Sequence, residues 1–259
     1  IQRIDELIKK TSICINLIGI LYEKKKNQFN IIHRDFPDLI SRISNKYNIE
    51  KLIHLSALGI EQANDSKYAT SKIEGENKLR SNFKNSIILK PSIVYSVDDN
   101  FTTNFMSLLS KLPLMPLYYN GDTKFSPIHA ADLTNIIYEI IEAKEKNFTL
   151  ECIGPEIFTF KEILKILLKV IKKNRILLPM PLTLASLSAK FLELFPKPLL
   201  TQDQLKLLKY HNIKSGLYKT NFDLGLNANK KFEIEVDKYS FNWRTGGQFT
   251  KKNEMAKLK

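Results

Sequence analysis

Residues 51–72 read KLIHLSALGIEQANDSKYATSK, and the order of features in them decides the fold. Leu52, Ile53 and Leu55 make the pattern of a buried strand, and Ser56 closes it. Ser66 then precedes a helix on which Tyr68 and Lys72, at i and i+4, share one face. The tyrosine–lysine spacing alone carries little, because Tyr22, Tyr47 and Tyr210 also have a lysine four residues on. Only the pair at 68 and 72 follows a strand and a serine.

Those residue types make chemical sense together. A protonated lysine beside a phenol favours the phenolate and is expected to lower the Tyr68 pKa. Tyr68 then exchanges a proton with a substrate oxygen that Ser56 also holds, while a nicotinamide carries the hydride. The plainer alternative makes Tyr68 a half-buried helix residue and Lys72 a solvated one.

Working outward, residues 2–10 read as an amphipathic helix with Ile4, Leu7 and Ile8 on one face. The run 13–20 is continuously apolar, the pattern of a parallel strand buried on both faces. Residues 29–47 form a second helix, with Phe36, Leu39, Ile40 and Ile43 inward and Pro37 as a kink. A helix over 68–83 and a strand over 87–94 follow. This rhythm predicts an α/β fold, a doubly wound, Rossmann-like parallel sheet with a smaller, mainly helical C-terminal lobe. Ligands of such sheets sit at the carboxyl ends of the strands. That rule marks Leu17, Ile18 and Gly19 after the first strand, Ser56 and Ala57 after the second, and Pro91, Ser92 and Ile93 after the third.

The 259 residues are 43% hydrophobic and 26% charged, ordinary globular material with enough apolar residues for a core. Cys14 and Cys152 lie far apart, which suggests neither a disulfide framework nor a metal site. The net charge of +13 comes from lysines dispersed along the chain with few arginines, so no nucleic-acid partner is expected, although some bias toward an anionic partner is. None of the nine glycines forms a G-x-G-x-x-G loop, and the chain opens on Ile1, so it reads as N-terminally truncated ahead of the phosphate-binding half. No apolar run reaches the roughly 20 residues of a membrane-spanning helix.

A division is expected into a partial nucleotide-binding domain over 1–122, a lobe over 123–250 with some segments returning to the sheet, and a basic tail over 251–259. In the lobe, Asp132 is positioned to cap a helix over 133–143, and His129 is either ligand-facing or a satisfied, partly buried histidine. Thr159-x-x-Glu162 and Thr201-x-x-Gln204 are capping boxes. The helix 182–195 carries one polar stripe, Thr183, Ser186, Lys190 and Glu193, on an otherwise apolar surface. It packs within its own domain or, alternatively, lies against a membrane surface or a large partner.

Taken together, these residues resemble an extended or atypical short-chain dehydrogenase/reductase of the NAD-dependent epimerase/dehydratase kind. They are most similar to the alpha-subcomplex subunit nine family of respiratory complex I. The resemblance is carried by Asn16-Leu17-Ile18-Gly19, His54-Leu55-Ser56-Ala57-Leu58-Gly59, Tyr68-Ala69-x-x-Lys72-x-x-Gly75-Glu76, Leu89-Lys90-Pro91-Ser92-Ile93-Val94-Tyr95, Thr201-x-Asp203-Gln204-x-x-Leu207-Leu208 and Asn242-Trp243-Arg244-x-x-Gly247-Gln248-Phe249.

The resemblance implies an accessory or assembly subunit that binds NADP(H) or NAD(H) as a structural, non-catalytic ligand among the hydrophilic-arm subunits of complex I. Its implied location is peripheral, on the cytoplasmic face of a bacterial inner membrane or the matrix side of the mitochondrial one. It further implies that Tyr68 and Lys72 hold the nicotinamide ribose, Ser56 lies beside the ring, residues 17–19 line the groove and residues 91–93 touch the carboxamide end. Two departures stand out. Only eleven residues separate Ser56 from Tyr68, and His211 stands where the family has an acid before Asn212. The alternatives are a reductase, epimerase or dehydratase using Ser56, Tyr68 and Lys72, and a nucleotide-sensing regulator.

Overall fold

The computed structural model describes residues 2–193, 198 and 200–248. The expected basic tail, Phe249 of the last motif and residues 194–195 of the apolar helix lie outside the described residues. The chain runs α1 (Gln2–Ile8), β1 (Ile13–Asn16), α2 (Phe36–Lys46), β2 (Lys51–Leu55), α3 (Lys67–Asn82), β3 (Ser86–Pro91) and β4 (Val94–Tyr95). It continues through α4 (Thr102–Lys111), β5 (Leu114–Leu117), β6 (Lys124–Phe125), β7 (Ile128–His129), α5 (Ala130–Glu142), β8 (Phe148–Cys152), β9 (Phe158–Thr159) and α6 (Phe160–Val170). Last come β10 (Ile176–Pro179), α7 (Leu182–Leu192), α8 (Gln202–Leu207), β11 (Lys219–Thr220) and α9 (Phe232–Ser240).

The central sheet has the order β1-β2-β3-β8-β11, and every pair in it is parallel. Alternation within the strands sends residues to opposite faces. Ile53, Ile87, Leu89 and Leu150 pack with Leu133, Ile136 and Ile140 of α5. Leu52 packs the other way, with Ile8, Ile40, Ile43 and Leu79 of α1, α2 and α3. The sheet is thus covered on both faces, the doubly wound arrangement expected, and each fully buried Leu or Ile contributes about 1.5–3 kcal/mol. Lys51, buried at the start of β2, donates to the carbonyls of Ile140, Ile141 and Ala143. A cation at that end of α5 satisfies free carbonyls and opposes the helix dipole.

Four expectations need correction. The apolar run 13–20 is not one strand buried on both faces. β1 ends at Asn16, whose side-chain oxygen accepts the Ile18 N–H at 3.1 Å and turns the chain. β1 is also the edge strand, which leaves Ile15 38% exposed.

The 29–47 helix is two pieces, a π-helical segment Asn30–Asp35 running into α2. Pro37 has no N–H for the His33 carbonyl four residues back, and the wider turn accommodates the loss. That carbonyl lies against Gly75 of α3, where a Cβ would sit 1.8 Å from it.

The third strand stops at Pro91: Ser92 N–H makes a last bond to the Cys152 carbonyl, the Ser92 hydroxyl turns to Asn212, and β4 then pairs with β7. Finally, α5 begins at Ala130, capped by His129 Nδ1, which accepts the Ala131 N–H. Asp132 is not the cap. Its carboxylate accepts the Lys230 N–H at 3.0 Å.

A second core joins α4, α6 and α9 to the parallel β5–β10 pair, with Phe160, Ile163, Leu164, Phe232 and Trp243 at its centre. The capping boxes at Thr159 and Thr201 both form. Among the described residues no helix is long and apolar enough to cross a membrane.

Candidate functional site

The site forms where β2 ends and α3 begins. Ser56 N–H continues the ladder onto the Leu89 carbonyl at 2.7 Å, so the strand end is fixed. Ser66 caps α3 by accepting the Ala69 N–H. The Asp203 carboxylate, from the far end of the chain, accepts the Lys67 and Tyr68 N–H groups at 2.7 and 2.9 Å. These bonds set the rotation of the helix, so Tyr68 and Lys72 both turn inward and are buried. Lys72 Nζ donates to the Leu55 carbonyl at 3.2 Å and lies 5.7 Å from the centre of the Tyr68 ring.

Above the pair is a cleft of about 190 Å³, walled by the loop 17–21 on one side and by Leu55, Ser56, Tyr68 and Lys72 on the other. Ile20 N–H donates to His33 Nε2 at 3.1 Å, which ties the loop to the π-helical segment. His33 Nδ1 meets the Ser71 hydroxyl, which donates to the Tyr68 carbonyl. Those partners fit a neutral histidine with its proton on Nδ1. Burial, reinforced by the Lys72 charge, lowers both His33 and His54 to about 3. Among the described residues lining the cleft the cation is therefore Lys72, which burial lowers to about 8.

Tyr68 does not behave as its spacing to Lys72 suggested. Burial raises its pKa instead of lowering it. The ring is packed edge-on against Phe29 and His33, within an apolar group that includes Ile60, Ala63 and Ala69. The lysine ammonium is meanwhile committed to a backbone carbonyl. Tyr68 is a neutral phenol at physiological pH.

Ser56 lines the cleft, but its hydroxyl donates to Glu76 of α3. Glu76 also takes Lys90 Nζ at 2.6 and 2.7 Å, and Lys90, 1% exposed, pairs with Glu61 at 2.7 Å. One ammonium, Lys90, thus faces two carboxylates, Glu76 and Glu61, and these ion pairs offset part of the cost of burying the charges. Ala57, the next residue, packs with the apolar group around Tyr68 and offers no hydroxyl there.

The structure thus brings Leu17, Ile18, Gly19, Ser56, Tyr68 and Lys72 to one cleft, with Ala57 packed on the apolar group that includes Tyr68. Pro91, Ser92 and Ile93 do not line this cleft. The Pro91 carbonyl takes the Leu58 N–H, Ser92 Oγ donates to Asn212 Oδ1 at 2.6 Å, and Ile93 packs on the second core. His211 Nδ1 accepts the Lys124 N–H. Sequence reasoning missed His33, Glu76, Lys90 and Asp203 as parts of the site. Lys90 alone left a readable signal, a charge inside the apolar run SIILKP.

A nicotinamide riboside half fits this chemistry. The Tyr68 hydroxyl and the remaining Lys72 protons can donate to ribose hydroxyls. The volume suits that half better than a whole dinucleotide, since drug-sized ligands occupy roughly 300 Å³ or more.

No protein-family model matches the chain. In sequence it is similar to NADH dehydrogenase [ubiquinone] 1 alpha subcomplex subunit 9, mitochondrial, of Dictyostelium discoideum, at 29% identity over 168 residues, 64% of this chain and 46% of that one. The Mus musculus protein of that name is 26% identical over 250 residues, 93% of this chain and 65% of that one. The chain therefore spans between about half and two thirds of the length of these relatives. In fold it is similar to MoeE5 in complex with UDP-glucose and NAD, with a TM-score of 0.67, 10% identity and coverage of 93% of this chain and 81% of that one. It is likewise similar to dTDP-4-dehydrorhamnose reductase from Bacillus anthracis in complex with NADP, with a TM-score of 0.59, 16% identity and coverage of 87% and 82%. The resemblance to complex I subunit nine in sequence, and to NAD-dependent short-chain reductases and epimerases in fold, stands.

Proposed function

We propose that this chain is an accessory or assembly protein of respiratory complex I that holds NADP(H) or NAD(H) as a structural ligand and does not turn it over. One observation carries the non-catalytic part: the Ser56 hydroxyl is bound to Glu76. The Tyr68–Lys72 pair keeps its use as a ribose holder, while the one hydroxyl of the cleft besides Tyr68 among the described residues, that of Ser56, is turned to Glu76. Burial of Tyr68 in apolar and aromatic contacts works the same way, because a phenol raised by burial is a poor base near neutral pH.

The sequence likeness to complex I subunits supports partners on its hydrophilic arm and a peripheral place on the matrix side, or on the cytoplasmic face in a bacterium. The α7 helix supports contact with the membrane surface there. Its Ala185 and Ala189 face inward, whereas Leu184 and Leu187 are 55% and 66% exposed. A second reading, a reductase or epimerase using Ser56, Tyr68 and Lys72, draws on the intact pair and on the enzymes that share the fold.

Native-gel separation of solubilised membranes, with NADH dehydrogenase staining and detection of the protein, tests the first reading. Migration with the active complex is expected. A protein that runs free beside a complete complex sinks it. The enzyme reading predicts NADPH-dependent turnover that Tyr68→Phe abolishes while nucleotide binding persists.

A further inference from the structure

Read from sequence, Thr201 to Gln204 only starts a helix, and the structure gives this segment a second task. Thr201 and Gln204 supply the cap of α8 between themselves. Asp203 is spare, and its carboxylate leaves its own helix to accept three hydrogen bonds at the start of α3, from Ser66 Oγ at 2.8 Å and from the Lys67 and Tyr68 N–H groups. First-turn amides have no partner within their own helix, and a carboxylate there also meets the positive end of the dipole. One of the two amides belongs to Tyr68 itself.

α8 touches the cleft at further points. Gln204 Nε2 donates to the Leu21 carbonyl on the opposite wall at 3.4 Å, and Leu207 and Tyr210 pack into the group around Tyr68. Away from the cleft, α8 holds α7. Ser186 Oγ donates to Gln202 Oε1 at 3.2 Å, Gln202 Nε2 donates to the Ser186 carbonyl, and Leu205 packs with Ala185 and Ala189. A helix of six residues does not persist without such contacts.

We propose that Asp203 is a positioning residue through which occupancy of the cleft is transmitted to α8 and, through it, to the apolar face of α7. This rests on the nucleotide reading above. A nucleotide held by Tyr68, Lys72 and the loop 17–21 fixes the first turn of α3, the docked α8 loses an alternative undocked arrangement, and α7 is held with it. The coupling is reciprocal: whatever undocks α8 weakens the nucleotide by the factor by which the nucleotide favours docking.

Hydrogen exchange by mass spectrometry on the full chain, with and without saturating NADPH, tests this against Asp203→Asn, with occupancy matched from a fluorescence isotherm. In the wild type, bound NADPH is expected to slow amide exchange in α3, the loop 17–21, α8 and α7, by about fivefold or more in the last two. In Asp203→Asn the slowing is expected in α3 and the loop but not in α7 and α8, with NADPH bound more weakly by a similar factor. Ser66→Ala, which removes one of the three bonds together with the side-chain cap of α3, is expected to fall between them and serves if Asp203→Asn does not fold. Equal slowing of α7 and α8 in the wild type and the variants at matched occupancy overturns the proposal, as does a saturated wild type with no slowing there. A flat wild-type isotherm is a different result: the nucleotide reading fails, and the proposal with it.

Discussion

Ser56 and Ala57 are adjacent, yet one belongs to a buried ion cluster and the other to an apolar wall. Ser56→Ala is therefore expected to cost about 1 kcal/mol in denaturant unfolding, while nucleotide affinity, read by fluorescence, stays within about twofold. A tenfold loss of affinity would mean that the hydroxyl serves the cleft. Lys72 behaves differently, because burial lowers it from 10.5 to about 8. Between those values the unfolded chain binds more protons than the folded one, so stability rises with pH across that window. Below about pH 8 the penalty is fully present, at about 3 kcal/mol. Stability of the wild type relative to Lys72→Met should thus rise between about pH 8 and 10.5, as nucleotide affinity falls with loss of the ammonium. Parallel stability curves for the two proteins would show that Lys72 does not titrate there. Tyr68 and Lys72 were legible as candidates from spacing and setting. The raised phenol was not, because Phe29 and His33 reach the ring only through the fold.

At the scale of elements, Gly75 is where α3 meets the π-helical segment. A Cβ there would lie 1.8 Å from the His33 carbonyl oxygen, which belongs to backbone and cannot rotate away. Gly75→Ala is expected to destabilise by about 3 kcal/mol or more, and to weaken nucleotide binding, because His33 anchors Ile20 of the cleft wall. The contrast is Gly216→Ala. Its φ is +81° with nothing within 4 Å, so only the left-handed backbone is penalised, by about 1 kcal/mol. Similar losses in urea melts of the two variants would remove the close approach as the reason for a glycine at 75. The capping boxes were legible because their partners lie three residues apart. The cap of α5 was misassigned because His129 and Asp132 both suit a helix start, and the Lys230 N–H that claims Asp132 lies 98 residues away.

For the whole molecule, two consequences follow from how the chain closes on itself. His33 and His54, lowered by burial to about 3, stay neutral in the folded state. The unfolded chain binds more protons between about pH 3 and the ordinary value of 6.5, so stability is lost as pH falls through that range. Acid unfolding followed by circular dichroism should begin below about pH 6.5, and His54→Gln should shallow its slope; an unchanged slope would mean that His54 is not the titrating group. The exposed leucines of α7 predict sedimentation with anionic vesicles, reduced by Leu184→Asp together with Leu187→Asp, and equal sedimentation would assign the attraction to the net charge of +13 alone. The sequence by itself determined the parallel α/β fold, the order of its elements and the Tyr68–Lys72 pair, since these depend on periodicities and spacings within a single element. Only the tertiary structure decided that Ser56 turns to Glu76, that Asp203 binds the first amides of the helix carrying Tyr68, and that burial governs the charge states. Each of those depends on residues far apart in the chain, and the free energy of a buried polar group is set by the partners it finds there and not by its neighbours in sequence.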